Sequence, residues 1–327
     1  MSLDADTIVD RRRMRRKLTF WRVFAVLLAI AAVLATGIAL RVPGSDLITG
    51  RTADSIARVT ITGLIRTDRQ RVEALERLAN SQAKAVILHI NSPGGTTSGA
   101  EELYDSITRL KEKKPTVVVV NGLAASGAYI TALAADHIVA QETSLVGSIG
   151  VLFQYPNLTE LMKTIGVKVE EIKSSPLKAA PSAFEPSSPE ARAAIEAIVM
   201  DSYAWFRDLV QKRRQLDDAQ LDRVADGRVF TGRQAVGLKL IDQLGDERTA
   251  IAWLAKEKKI DANTPVRDYR LRDRFSDLPF LHTVAIAALD AFGLGAVARR
   301  IEESSALKAI DRLNLDGLLA LWHPSAN

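Results

Sequence analysis

The sequence predicts an α/β domain built on parallel strands, with one N-terminal transmembrane helix ahead of it. From Ile56 onward, short β-branched runs alternate with stretches of helical apolar spacing, the order that pairs strands in parallel and lays helices on both faces. Residues 23–40 form an uncharged run of 18 residues behind a basic segment, the pattern of a membrane anchor. The chain of 327 residues is 47% hydrophobic, enough to bury one full α/β core and carry accessory segments.

Arg11, Arg12, Arg13, Arg15, Arg16 and Lys17 precede the apolar run, which as a helix spans about 27 Å at ~1.5 Å per residue. Phe20 and Trp21 suit the interface, and Arg22 can snorkel outward. A cleavable signal peptide has an apolar stretch of only about 7–15 residues before a small-residue site, and Ala35-Thr36-Gly37 is a poor site of that kind. The expected arrangement is therefore a single-pass protein of the inner (plasma) membrane, with residues 1–22 cytoplasmic, 23–40 the anchor, 41–54 a linker, and the rest periplasmic or otherwise extracytoplasmic. The formal charge of +5 is mostly the basic segment, where seven Lys/Arg face three Asp. With that subtracted the chain is close to neutral, which argues against a nucleic-acid partner. There is no cysteine, so disulfides, thiolate metal sites and cysteine nucleophiles are excluded.

In the outer domain, residues 57–62 and 84–90 read as strands and 67–80 as a helix between them. Residues 101–113 read as a helix, 116–120 as a buried strand, and the stretch after Ala125 as helical. Residues 136–140 and 167–172 are expected to add strands. Ser188 with Pro189 opens a long helix to about Arg214, and Thr231 caps a shorter one. Beyond Asp277 the composition changes, and the extension 271–327 is expected to be amphipathic, contacting the membrane or a neighbouring subunit.

Two strands end in glycine-bearing loops, Asn91-Ser92-Pro93-Gly94-Gly95 and Asn121-Gly122-Leu123-Ala124-Ala125-Ser126-Gly127. Parallel strands present their carboxyl ends on one edge, so both loops are expected to open into one crevice. The amide of Gly127 after Ser126, together with an amide from the neighbouring glycine loop, can hold an oxyanion. None of His89, His137, His282 and His323 is well placed to serve Ser126, so a lysine is the expected base. Lys173 and Lys178 are the candidates, in a stretch (residues 173–180) without an acidic residue. Such a lysine must be neutral, which takes a shift of about three units, or ~4 kcal/mol, from its usual value.

Four segments in order, Asn91 to Gly95, Ala124 to Tyr129, Val146 to Val151 and Asp226 to Gly232, resemble signal peptide peptidase A of the short kind, and more distantly the Clp protease subunit of the crotonase-like superfamily. The resemblance covers about residues 55–270 and implies stacked ββα units forming a peptidase domain. It implies Ser126 as nucleophile, Gly95 and Gly127 as oxyanion donors, Ser148 as a hydroxyl that orients the lysine, and Lys178 as the base. Ser175 and Ala179 depart from the family's usual residues around that lysine. It further implies a membrane-bound serine endopeptidase acting on hydrophobic peptides such as signal peptide remnants, working through an acyl-enzyme. The protomers would form a homo-oligomer whose subunits complete one another's active sites, with no metal or organic cofactor. Two other readings use the same residues: a crotonase-like enzyme acting on an acyl thioester, and an inactive membrane scaffold in which Ser126 is only a helix cap.

Overall fold

The computed structural model describes Trp21, residues 54–271 and residues 319–322. In chain order, β1 (Ile56–Thr62), α1 (Arg69–Ala79), β2 (Ala85–Ser92), β3 (Gly94–Thr96), α2 (Thr97–Lys113), β4 (Thr116–Ala125) and α3 (Gly127–Leu133) come first. They are followed by β5 (His137–Ala140), β6 (Leu145–Gly147), α4 (Thr159–Thr164), α5 (Pro189–Arg214), α6 (Asp218–Val224), β7 (Val229–Thr231) and α7 (Gly232–Gly237). The last are β8 (Gln243–Leu244), α8 (Glu247–Lys258), β9 (Val266–Asp268) and β10 (Leu319–Leu321).

The main sheet runs β7-β6-β4-β2-β1-β9, with β5 between β4 and β8. Its centre is apolar on both faces because both are covered, the expected pattern for parallel strands. Val86, Leu88 and Ile90 of β2 pack with α1 and α2 through Leu75, Leu78, Leu103 and Ile107. Ala85 and Ile87, which alternate with them, point the other way with Val117 and Val119 of β4 onto Ala250 and Leu254 of α8. Each buried valine, leucine or isoleucine among them contributes about 1.5–3 kcal/mol. The caps agree with the sequence: Ser188 accepts from the Ala191 amide at 3.1 Å with Pro189 inside the first turn of α5, and Thr231 caps α7.

Three expectations need correction. Pairing is mostly parallel, but β6 and β7 run antiparallel, β7 being an edge strand that follows α5 and α6 in the chain. Residues 167–172 form no strand: their side chains are all exposed and no described strand lies beside them, so the apolar alternation there has no neighbour to pair with. The helix expected at residue 101 begins at Thr97, since the Thr96 hydroxyl accepts from the Gly99 amide at 3.1 Å and fixes the start earlier. The expected anchor at 23–40 and most of the extension 271–327 lie outside the described residues; among the described residues no helix is long and apolar enough to cross a membrane.

One irregularity positions the site. The first half of β4, Val117–Val120, pairs with β5, whereas Leu123–Ala125 pairs with β6. Gly122, at φ +119, makes the break. Ser144 bridges it, donating to the Val120 carbonyl at 2.9 Å and accepting from the Gly122 amide at 3.1 Å.

Candidate active site

Ser126 stands where β4 ends and α3 begins, with φ 56 and ψ −118. That conformation mirrors the first central residue of a type II turn, a position dominated by glycine, so a serine here is held by its surroundings. Its amide donates to the Gly147 carbonyl at 2.7 Å, and its own carbonyl accepts from Tyr129 at 2.8 Å and Ile130 at 3.0 Å. Tyr129 is fully buried and its hydroxyl donates to the Leu240 carbonyl at 2.8 Å; burial pushes its ionisation well above the ordinary tyrosine range. Ser126 occupies the N-cap position of α3 yet makes no side-chain capping bond. Its Oγ instead faces the Gly150 carbonyl at 3.4 Å. A cap serine spends its hydroxyl on its helix; this one does not.

The neighbouring loop reaches the same place. Ser92 ties it down, donating to the Gly63 carbonyl at 2.6 Å and accepting from the Gly94 amide at 3.1 Å. A Cβ on Gly94 would stand 2.8 Å from the Gly127 nitrogen, and one on Gly127 would stand 3.3 Å from the Gly95 nitrogen. The two loops therefore meet backbone to backbone, which only glycine permits at this separation. The backbones of Gly95 and Gly127, whose amides are the expected donors, lie side by side next to Ser126.

Ser148 follows Gly147 in the loop that receives the Ser126 amide, with φ 50. Its own amide donates to the Arg228 carbonyl at 2.8 Å, and β7 pairs with β6 just before it. Two of the sequence segments singled out above, 146–151 and 226–232, are thus one antiparallel ladder that shapes the rim of the site.

Similarity to known proteins follows the same stretch. The family model described as Peptidase family S49 matches residues 108–261, and that described as Clp protease matches residues 58–145. A Synechocystis protein described as a candidate protease is 35% identical over 212 residues, covering 64% of this chain and 76% of that one. The chain belongs to peptidase family S49, the signal peptide peptidase A family. It is a serine peptidase with a Clp-protease-like α/β fold. The chloroplastic serine protease SPPA of Arabidopsis thaliana is 35% identical over 235 residues, and Protease 4 of Haemophilus influenzae 31% over 191 residues. The aligned parts make up 35% and 31% of those longer relatives and 70% and 58% of this chain.

Within this family member the two lysines differ sharply. Lys173 pairs with Glu171 at 2.9 Å and with Glu185. Its hydrogen bonds, first to Glu171 and then to Glu185, hold the ammonium above the ordinary lysine range. The stretch 173–180 lacks an acidic residue, as read from the sequence, but the folded loop brings carboxylates in from both sides, which corrects the expectation that nothing holds either lysine charged. Lys178 lies in the turn that follows, its amide donating to the Ser175 carbonyl at 3.1 Å. Its side chain is exposed and makes no hydrogen bond or ion pair among the described residues. No lysine hydrogen bonds to Ser126 among them. Neither described histidine serves it: His89 pairs with Glu247 at 2.6 Å, and His137 stacks on Trp253 at 4.7 Å. His282 and His323 lie outside the described residues.

Sequence reasoning missed three participants. The Gly150 carbonyl gave no signal, being backbone. Glu185 lies 12 residues from Lys173, too far for local reading. The third is the short strand β10, whose Leu318-Leu319-Ala320-Leu321-Trp322 run was a legible strand signal in a region read as amphipathic.

Proposed function

We propose that the chain is a membrane-anchored endopeptidase in which Ser126 attacks the scissile carbonyl and Lys178, supplied by a neighbouring subunit, takes the hydroxyl proton. The observation that carries this is Ser126 itself: a serine at φ 56 with no capping bond, set beside the closely packed backbones of Gly95 and Gly127. The tetrahedral oxyanion is held by the Gly95 and Gly127 amides, preorganised donors of the kind that contribute about 10²–10³ in rate each. The lysine passes its proton to the leaving amine, and the acyl-enzyme on Ser126 is then opened by water activated by the same amine. Ser148, next to the Ser126 amide acceptor Gly147, is placed to orient the lysine.

Lys173 is unsuited to the role, since two carboxylates keep it charged. Lys178 has no such partner, and a subunit closing over it would supply the desolvation a neutral amine requires. A second copy has apolar side chains to meet: Leu161, Ile165, Val167, Val169, Ile172 and Leu177, all within one stretch of chain, are exposed, and clustered exposed apolar residues mark protein contacts. Anchoring by residues 23–40 would hold the crevice close to hydrophobic peptides such as signal peptide remnants, on the outer face of the inner membrane.

Fluorophosphonate labelling tests this. The detergent-solubilised chain should label, and Ser126→Ala should not. Equal labelling of both removes Ser126 as nucleophile. Mixing Ser126→Ala with Lys178→Ala subunits tests the sharing of sites: hydrolysis should reappear in the mixture, and an inactive mixture rules out a lysine supplied in trans.

A further inference from the structure

The two edges of the sheet differ in chemistry. β1, β2, β4, β5 and β9 run parallel with their first residues side by side. Their carboxyl ends share the edge that carries Ser126 and the β3–β10 pair, Ala320 opposite Gly95. Their amino ends share the opposite edge. α2 and α8 run back toward that amino edge, α2 ending at Lys113 just ahead of β4 and α8 at Lys258 ahead of β9. The last turn of α5 reaches it too: the Arg213 guanidinium donates to the carbonyls of Leu133 at 2.7 Å and Ala135 at 2.8 Å, the residues that lead into β5.

All three helices end in cations, Lys111 and Lys113 on α2, Arg213 on α5, Lys256 and Lys258 on α8. A basic last turn answers the partial negative charge of a helix end, about half a unit charge. Here α2 and α8 each carry two full charges, and one edge collects them. The carboxylates beside them leave a surplus. Asp136 accepts from the Thr116 amide at 2.9 Å and stands 4.0 Å from Lys258, and Glu257 lies 3.5 Å from Lys256. Lys113 bonds only the neutral Asn80 side chain, at 2.8 Å, and Lys111 makes no ion pair among the described residues. Burial, and after it the Arg213 guanidinium, push the Lys111 ammonium below the ordinary lysine range, although Asp136 and Glu112 oppose the shift.

The same edge is where the chain enters the domain. β1 starts at Ile56, so the apolar run 23–40 connects to the cationic edge through residues 41–54 alone. We propose that the amino edge of the sheet docks on anionic phospholipid headgroups, with Lys111, Lys113, Arg213, Lys256 and Lys258 as its contacts. The proposal rests on the membrane anchor proposed above and is independent of the peptidase chemistry. Its consequence is a distance. A strand rises ~3.3 Å per residue, so the seven residues of β1 hold the crevice roughly 20–25 Å beyond the headgroups. A peptide must extend clear of the lipid to reach Ser126.

The chain holds no cysteine, so a single donor dye can be placed at exposed Gln82, ahead of β2 on the amino edge, or at exposed Thr62, at the far end of β1. The full-length Gln82→Cys and Thr62→Cys chains are reconstituted in phosphatidylcholine vesicles with and without an equal share of phosphatidylglycerol, and energy transfer to a headgroup-labelled lipid is read. Transfer from Gln82→Cys should rise several-fold with phosphatidylglycerol, exceed that from Thr62→Cys, and return to the phosphatidylcholine level in molar salt. Adding Lys111→Glu, Lys113→Glu and Lys258→Glu should remove the rise, and arginine at the same three positions should keep it. Equal transfer in both lipids, or stronger transfer from Thr62→Cys, overturns the docking; both are read on chains with every lysine in place, so misfolding of the charge-reversed chain does not decide the outcome. Alkaline extraction scores the anchor separately. A chain stripped from both vesicles has no span: flotation with phosphatidylglycerol vesicles that charge reversal abolishes then supports the cationic edge and refutes the anchor, and flotation with neither lipid refutes both.

Discussion

Replacing Ser126 by glycine should stabilise the protein relative to replacing it by alanine, although both variants remove the proposed nucleophile. At φ 56 and ψ −118 a residue with a Cβ is strained, and this glycine-dominated conformation belongs near the upper end of the ~1–3 kcal/mol range for such strain. Glycine relieves it but loses about 0.5–1 kcal/mol through the greater freedom of its unfolded chain. Removing the buried methyl costs about 0.8 kcal/mol more. The balance favours Ser126→Gly by about 1 kcal/mol, or ~2–4 °C in Tm for a domain of this size. Both variants lack the hydroxyl facing Gly150, so comparing them isolates the backbone. Differential scanning calorimetry of the two in one detergent measures it. If Ser126→Ala melts at the same temperature as Ser126→Gly, or higher, Ser126 is not strained and the case built on its conformation fails.

Gly95→Ala should lower kcat/KM on a peptide substrate by about 10²–10³, the value of one oxyanion donor, because its Cβ would stand 1.8 Å from the Ile65 carbonyl oxygen and the amide must move. Lys178→Ala should abolish hydrolysis, whereas Lys173→Ala should retain it with little change in stability, since solvent screens a surface ion-pair network; the two are compared on one hydrophobic peptide, and activity surviving only in Lys178→Ala would move the assignment to Lys173. Glu247 bonds Arg58 through both oxygens at 2.6 Å, and that guanidinium, with His89 also bonded, holds the carboxyl below its ordinary value of 4.5. A depressed carboxylate stabilises the fold above its unfolded pKa and loses that contribution as pH falls through the folded one. Tm should therefore drop as pH falls below about 4.5, and Glu247→Gln should flatten that part of the profile while melting lower at neutral pH; parallel acid profiles for the two proteins would contradict this.

Much of the surroundings of Ser126 was legible in the sequence because it is local. Small residues before Ser126, a glycine after it and a second glycine pair at the end of the adjacent strand suffice to place two amides at one sheet edge. The caps at Ser188 and Thr231 were legible for the same reason, each depending on residues within one turn. The lysine loop was not. Its apolar alternation at Val167 and Val169 imitates a strand, and strand pairing is decided by a neighbour that the local pattern does not contain. Lys173 looked like Lys178 until folding brought Glu185 to it. β10 was harder still, since its place beside Gly95 depends on residues more than two hundred positions away.

The change of partners along β4 has a mechanical consequence. Upstream of Gly122 the strand is clamped between β2 and β5, among fully buried side chains; downstream it lies between the end of β2 and the short ladder of β6 and β7. Ser126 is thus carried on a cantilever with its root in the core and its tip tied to Gly147. The rim at residues 226–231 therefore bears on Ser126 through β6 and Gly147, at the end of β4 that lies beyond that clamp.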